Sequence, residues 1–419
     1  MKLGWIFYFF FIALLSSQSL MDLGSTLMAI SVLLVWWQKR KLGEKLPVPH
    51  LGLEKVFLAW LVIILLGLLA SRQPDTPWLK SFLEFRWILE FYIYITALNV
   101  LQPTEKNIRQ LLPVVWVTAI YTLLCYFLKF DLLHQGWADR EAQLLLDQNH
   151  IWYRAGGLFM NPMPYAHTYG TLAALMMGPL FYFQRGEWLK NKFWIFGLGL
   201  TLLGIVFSFT RGIWLGLAVA CLMMASFINW KKGLGVLGAL ILIAAGLFLS
   251  VREVRERILF SFDPATSYDS ERLIIWKTNW LIFSENPILG LGYGENGRRL
   301  REYFDRLNVP KGFLESHAHN QYLHFLAGTG ILGLLCFVLV IGFLFRMHFQ
   351  AFRGFSSSQE PFWKGLALGV LGAEITFYVA GVTESNFSIA KNRYFILLVW
   401  ALGCWLWYKM KNQRNVAAK

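Results

Sequence analysis

The residues best suited to chemistry in this chain are the two histidines and the asparagine of Ser316-His317-Ala318-His319-Asn320-Gln321. They run into the Gly-rich apolar stretch Ala327-Gly328-Thr329-Gly330-Ile331-Leu332-Gly333. A neutral imidazole takes a proton from a hydroxyl at neutral pH, so His319 is a candidate general base, with His317 and Asn320 beside it as candidate substrate ligands. The His-x-His pair also invites a metal. No third histidine, cysteine or paired carboxylate stands at a supporting spacing, so the expectation is no metal site. A structural role, with the rings satisfying loop carbonyls at a helix start, is the competing account.

Three arginines complete the list of chemical candidates. Arg211, in Phe209-Thr210-Arg211-Gly212-Ile213, sits between two apolar runs with almost no connecting loop. An arginine there is costly unless it snorkels to headgroups or binds an anion, and Gly212 leaves room for a bulky group. Arg272, in Ser270-Glu271-Arg272-Leu273-Ile274-Ile275-Trp276, reads either as a neighbour of Glu271 on a solvated face or as a second anion ligand with Trp276 beside it. The turn-forming Asn286-Pro287-Ile288-Leu289-Gly290-Leu291-Gly292-Tyr293-Gly294 follows it. These glycines do not match a dinucleotide fingerprint, because no strand precedes them. Arg154 is the third cation, and Asn161-Pro162 downstream of it marks a helix start; both are candidate substrate ligands, and a cap with a turn is the bland account. Glu84, Arg86 and Glu90 are close enough to pair within a bundle and read as structural.

The elements that must position these side chains follow from composition. Of 419 residues, 56% are hydrophobic and 15% charged, against roughly 25% charge in average soluble chains. Apolar runs long enough to cross a bilayer predict about twelve spans, near 3–20, 22–38, 56–71, 82–102, 110–129, 163–184, 193–209, 212–230, 233–251, 320–346, 363–382 and 392–410. The fold class expected is an all-α polytopic membrane protein. The first run lacks a small-x-small cleavage site and reads as an uncleaved span. Much of the net charge of +14 lies in short loops, the pattern of the positive-inside rule and of contact with membrane lipids rather than nucleic acid. It predicts cytoplasmic termini and sends four segments outside: 130–162, the turn at Thr210-Arg211, the long loop 252–319, and 383–391. The chain thus divides into helices over 1–251, the outer loop 252–319, and helices with a tail over 320–419. Within the loop, Glu253–Leu259, Glu271–Phe283 and Arg298–Leu307 read as short helices. Cys125, Cys221, Cys336 and Cys404 fall inside apolar runs and read as packed thiols.

With these residues in view, the chain resembles the O-antigen ligase and polymerase superfamily of bacterial envelope glycosyltransferases. That family's signature is His-Asn, Ser or Gln, nine residues, Gly, two residues, then Gly, Thr or Tyr. His319-Asn320, residues 321–329, Gly330, Ile331-Leu332 and Gly333 match it throughout. Thr210-Arg211-Gly212 resembles the family's helix-end arginine. Arg272 with Trp276 and Pro287-x-x-Gly290-x-Gly292 resembles its loop arginine and turn, and Gly157-Leu158-Phe159 with Asn161-Pro162-Met163 is also familial.

The resemblance implies a GT-C-like bundle in the bacterial inner membrane that transfers a glycan from undecaprenyl pyrophosphate to lipid A–core oligosaccharide at the periplasmic face. It implies inversion at the anomeric carbon, with no metal, ATP or other cofactor. Arg211 and Arg272 would hold the pyrophosphate and His319 would act as base. An O-antigen polymerase joining lipid-linked repeats is the nearest alternative, followed by a protein O-oligosaccharyltransferase. A flippase or transporter of lipid-linked sugars is the non-enzyme reading. It is disfavoured because transporters place charges near the midplane and carry internal repeats, neither of which is evident here.

Overall fold

The computed structural model describes residues 3–44, 48–70, 84–129, 131, 133, 144–146, 151–183, 190–260, 267–309 and 317–417. A helix occupies each of the twelve apolar segments expected from sequence. They are α1 Leu3–Leu14, α2 Gln18–Lys41, α3 Glu54–Ala70, α4 Trp87–Leu101, α6 Leu112–Leu128, α7 Pro162–Leu180, α8 Lys192–Phe207, α9 Arg211–Ile228, α10 Trp230–Ser250, α15 Gln321–Gly354, α16 Pro361–Ala380 and α17 Ala390–Ala417. A short α5, Glu105–Arg109, leads into α6. Among the described residues six stretches are long and apolar enough to cross a bilayer: 18–41, 105–128, 211–228, 230–250, 321–354 and 361–380. The chain is a multi-pass helical membrane protein.

Local chemistry corrects several expected boundaries. The first span ends at Leu14 rather than near residue 20, because Ser17 adopts extended backbone and its side chain accepts from the Leu20 amide as the N-cap of α2. Asn229 likewise splits α9 from α10 by accepting from the Lys231 amide. A two-stranded antiparallel hairpin, β1 Leu144–Leu146 with β2 Ile151–Tyr153, also departs from the all-helical expectation. The helices read in the long loop are present as α11 Arg252–Phe260, α12 Ser267–Glu285, and the pair α13 Glu295–Arg298 and α14 Leu300–Arg306.

Helices α7 and α16 form the centre of the bundle. Gly365-x-x-x-Gly369 on α16 faces Gly178 on α7, and a Cβ at any of the three would collide with the opposing backbone. Small residues at four-residue spacing let two membrane helices approach this closely and pack by dispersion. By contrast α10 buries only Gly233, so its apolar surface faces outward. Arg86 binds Glu90, Asp22 and the Tyr394 hydroxyl. Arg86 and Glu90 pair as read from sequence, and helices α2 and α17 join them; the Glu84 side chain lies outside the described residues.

The break in α15 positions the site. Gly330 has φ 64° and ψ −169° inside an otherwise helical run, a conformation open essentially to glycine alone. Beyond it the Ile331 amide donates to Pro287 O and the Leu332 amide to Ile288 O, instead of to the carbonyls four residues back. The Ala327 and Gly328 carbonyls freed in this way accept from the Leu291 and Gly292 amides. The Pro/Gly turn after α12 is therefore inserted into the hydrogen-bond ladder of α15, and each orphaned group finds a partner.

Candidate active site

The site is assembled where α7, α9, α12, α15 and the turn between α16 and α17 meet at one end of the bundle. Asn320 caps α15, its side chain accepting from the Tyr322 and Leu323 amides. Immediately before it His319 sits at φ 44°, a left-handed conformation that few residues with a side chain adopt. The next residue, Gln321, ties this corner to the turn that follows α16. Its amide donates to Gly381 O, and its side-chain oxygen accepts from the Phe387 and Ser388 amides.

That turn carries Glu384, which is 1% exposed. Its Oε1 lies 2.9 Å from His317 Nε2 and accepts from the Ser385 amide at 3.0 Å; its Oε2 lies 3.1 Å from His319 Nδ1. Burial works to raise the Glu384 carboxyl, but hydrogen bonds and charge attraction from the two imidazoles override it and hold it well below the usual carboxylate range. An ionised carboxylate only accepts, so both imidazoles donate to it. His319 Nδ1 then carries its hydrogen, and Nε2 of the neutral ring is left with the lone pair. Orienting and tautomer-fixing by a buried carboxylate is the arrangement that makes a histidine a competent base.

Glu384 also lines a cleft whose other charged groups are the cations Arg154, Arg211 and Arg272, with His167 beside them. Three guanidinium groups against one carboxylate make it a site for an anion with several acceptor oxygens. Arg154 is buried; its Nε donates to Ser208 O and its Nη2 to the Thr210 hydroxyl, so it also straps the turn that presents Arg211 at the start of α9. His167, on α7 one and a half turns from its start, is 1% exposed. The Asn386 amide nitrogen donates to Phe377 O at 2.7 Å, which fixes the orientation of that amide, and it reaches His167 Nδ1 at 3.4 Å. His167 Nδ1 must therefore accept, which leaves the hydrogen on Nε2.

The sequence-derived residues separate into groups. Arg154, Arg211 and Arg272 come together in one cavity, while His317 and His319 meet on Glu384. Asn320, as above, and Asn161, whose side chain accepts from the Met163 amide at the start of α7, cap helices through their side-chain oxygens. Trp276 lies one turn beyond Arg272 on α12, outside the cavity wall, and its buried indole N–H has no hydrogen-bond partner among the described residues. The expectation that no third metal-ligand type supports the His-x-His pair is corrected. His317, His319 and Glu384 hold their ligand atoms within 4.8 Å of one another, a set of types that zinc accepts. The imidazole–carboxylate hydrogen bonds account for the same arrangement. Sequence reading missed Glu384 and His167; the available signal was an ionisable residue in or beside an apolar segment at the same outer end as Arg211.

Comparison with known proteins bears on this geometry. Residues 196–338 match the model of a family described as O-antigen ligase. A segment of the chain is thus similar to the O-antigen ligase family. The chain is also similar to an O-antigen ligase of Pseudomonas aeruginosa, 27% identical over 283 residues, an alignment covering 65% of this chain and 61% of that protein. The family match contains Arg211, Arg272, His317, His319 and the α15 break at Gly330, while Arg154, His167 and Glu384 stand outside it. The matched segment thus contains both histidines and two of the arginines, while Glu384, Arg154 and His167 come from a turn, a loop and a helix on either side of it.

Proposed function

We propose that the protein is an O-antigen ligase of the bacterial inner membrane, with both termini cytoplasmic and the site facing the periplasm. It transfers a glycan from undecaprenyl pyrophosphate to a hydroxyl of lipid A–core oligosaccharide. The observation that carries this reading is the juxtaposition of a tautomer-fixed His319–Glu384 pair with a cavity walled by three arginines. Arg211 and Arg272 bind the pyrophosphate, Arg154 holds the Arg211 turn in place, and His167 Nε2–H adds a neutral hydrogen bond. The acceptor oxygen attacks the anomeric carbon as its proton passes to His319 Nε2. The anomeric C–O bond breaks with its electron pair leaving on undecaprenyl pyrophosphate, and the configuration inverts. The negative charge that builds on the leaving group is met by fixed cations, which supply the stabilisation without a metal or ATP.

The test is the envelope glycolipid profile of a deletion strain complemented with wild type or with His319→Ala. Core lipopolysaccharide without O-antigen, with long polymer accumulating on undecaprenyl pyrophosphate in the deletion and His319→Ala strains, is the expected outcome. Core carrying a single repeat would make the protein a polymerase. An unchanged profile would overturn both assignments.

A further inference from the structure

At the end of the bundle opposite the histidines, two cavities share a wall. One is a partly open cleft with no charged side chain among the described residues that line it; α1, α4, α6, α7, α8, α16 and α17 all contribute, with Phe7, Leu98, Leu172, Leu366 and Leu402 among the lining side chains. The other is an open basin whose wall carries Lys106, Arg109 and Lys190, with Glu105 the one acid among the described residues that line it. Leu112 and Trp194 line both. The Trp194 indole N–H is satisfied by Met176 O at 2.8 Å, and Arg109 stacks over its ring at 5.8 Å. Glu105 is occupied by Arg109 at 2.6 Å, so the basin keeps the charge of two exposed lysines.

An apolar cleft does not hold ordered water, because nothing in its lining can hydrogen-bond it, and left empty it forfeits the dispersion contacts its walls could make. A hydrocarbon chain restores them. The adjoining cations set the sign of the group attached to that chain. We infer that the two cavities form one binding site for an anionic phospholipid, with an acyl chain in the cleft and the phosphate at Lys106, Arg109 and Lys190. Such a lipid fastens α1, α6, α7, α8 and α17 together. A zwitterionic lipid brings its own ammonium group to the same cations, and free phosphate leaves the cleft empty. The site is independent of the ligase reading, which uses the other end of the molecule.

The experiment compares thermal unfolding of the full-length, delipidated protein in detergent with phosphatidylglycerol, phosphatidylethanolamine, undecaprenyl phosphate or inorganic phosphate added. Phosphatidylglycerol is expected to raise the transition temperature well above the others. The exposed double variant Lys106→Ala/Lys190→Ala should weaken its binding about 30-fold, from a factor of roughly five per cation near a membrane surface. Leu402→Trp, which fills the cleft, should abolish the shift. Equal stabilisation by both phospholipids, or an unchanged response in the lysine variant, overturns the proposal. So does a larger effect of undecaprenyl phosphate, which would make the cleft a seat for the polyprenyl chain, or a full effect of inorganic phosphate alone. The lysine variant touches no packed residue and keeps the test decisive if Leu402→Trp does not fold.

Discussion

Replacing Glu384 with glutamine should remove most of the activity while leaving the fold in place, and the hydrogen-bond geometry says why. The carboxylate accepts three bonds: from His317 Nε2 at 2.9 Å, from the Ser385 amide at 3.0 Å, both on Oε1, and from His319 Nδ1 at 3.1 Å on Oε2. A glutamine offers one acceptor oxygen and one NH2 group. Directing the oxygen at His317 and Ser385 keeps two bonds and turns the NH2 toward His319. The alternative keeps one bond and sets donor against donor at the Ser385 amide, so the first is favoured. His319 Nδ1 must then accept, its hydrogen moves to Nε2, and the lone pair needed for the acceptor hydroxyl is lost. General-base catalysis contributes about 10²–10⁴-fold, and inverting a histidine tautomer in this way costs about 10⁴-fold in serine proteases. The expected loss in kcat is about 10²–10⁴-fold with KM for the donor little changed. Initial rates of purified protein on lipid-linked glycan and lipid A–core, with thermal unfolding as control, make the measurement. Retention of activity within about threefold would refute the reasoning. The sign of the pH dependence follows from the depressed Glu384 carboxyl. Its stabilising pairing is present above the ordinary carboxylate value of about 4.3 and is lost only as pH falls through the lower native value. Glu384 should therefore stay ionised through the neutral and mildly acid range.

Arg211→Ala and Arg272→Ala should each lower kcat/KM by about 10²–10³-fold, the range for removing a group that meets developing charge; wild-type rates in either variant would remove the anion-site assignment. His167→Phe should raise the donor KM by about 10-fold or more, as expected for a lost hydrogen bond to a charged group. His167→Gln, which returns an N–H near the Nε2 position, should recover part of it. Gly330→Ala should destabilise the protein by about 1–3 kcal/mol from backbone strain alone, and by more because its Cβ would overlap Ile288 O. A lowered transition temperature with loss of activity is the expected reading, and an unaltered transition temperature would contradict the break described in α15.

What could be read from sequence follows what sequence encodes locally. Apolar runs of membrane length marked each long helix, and Arg211 and His319 stood out because charge or titratable nitrogen beside such runs is costly unless used. Asn161 and Asn320 were also visible, and each has a local role besides the one read for it. An asparagine before Pro162 or at the head of α15 is what an N-cap requires, and the observed bonds to the Met163, Tyr322 and Leu323 amides exhaust that role. Glu384 and His167 could not be paired with their partners by spacing. Glu384 reaches back 65 residues to His319, and His167 is separated from Asn386 by 219. Only the packing of α7 against α16 and the Gln321 tether bring them within reach.

The spacing inside the His-Asn signature has a mechanical explanation in this fold. Residues 321–329 form a helical rod of nine residues, about 13.5 Å at 1.5 Å per residue. One end is fixed by Gln321 to the turn that carries Glu384. The other is fixed at the Gly330 break to the Pro287–Gly292 turn, which closes the helix carrying Arg272. The rod therefore sets His319 and Arg272 relative to each other. An added or deleted residue would rotate one end by about 100° and shift it by about 1.5 Å. Both sets of backbone bonds could not then be made together, and His319 would turn away from Glu384 even with every catalytic side chain still present. The distance between His319 and Gly330 is on this account a length standard for the site, and the glycine is required because the turn must enter the helix where a Cβ would stand.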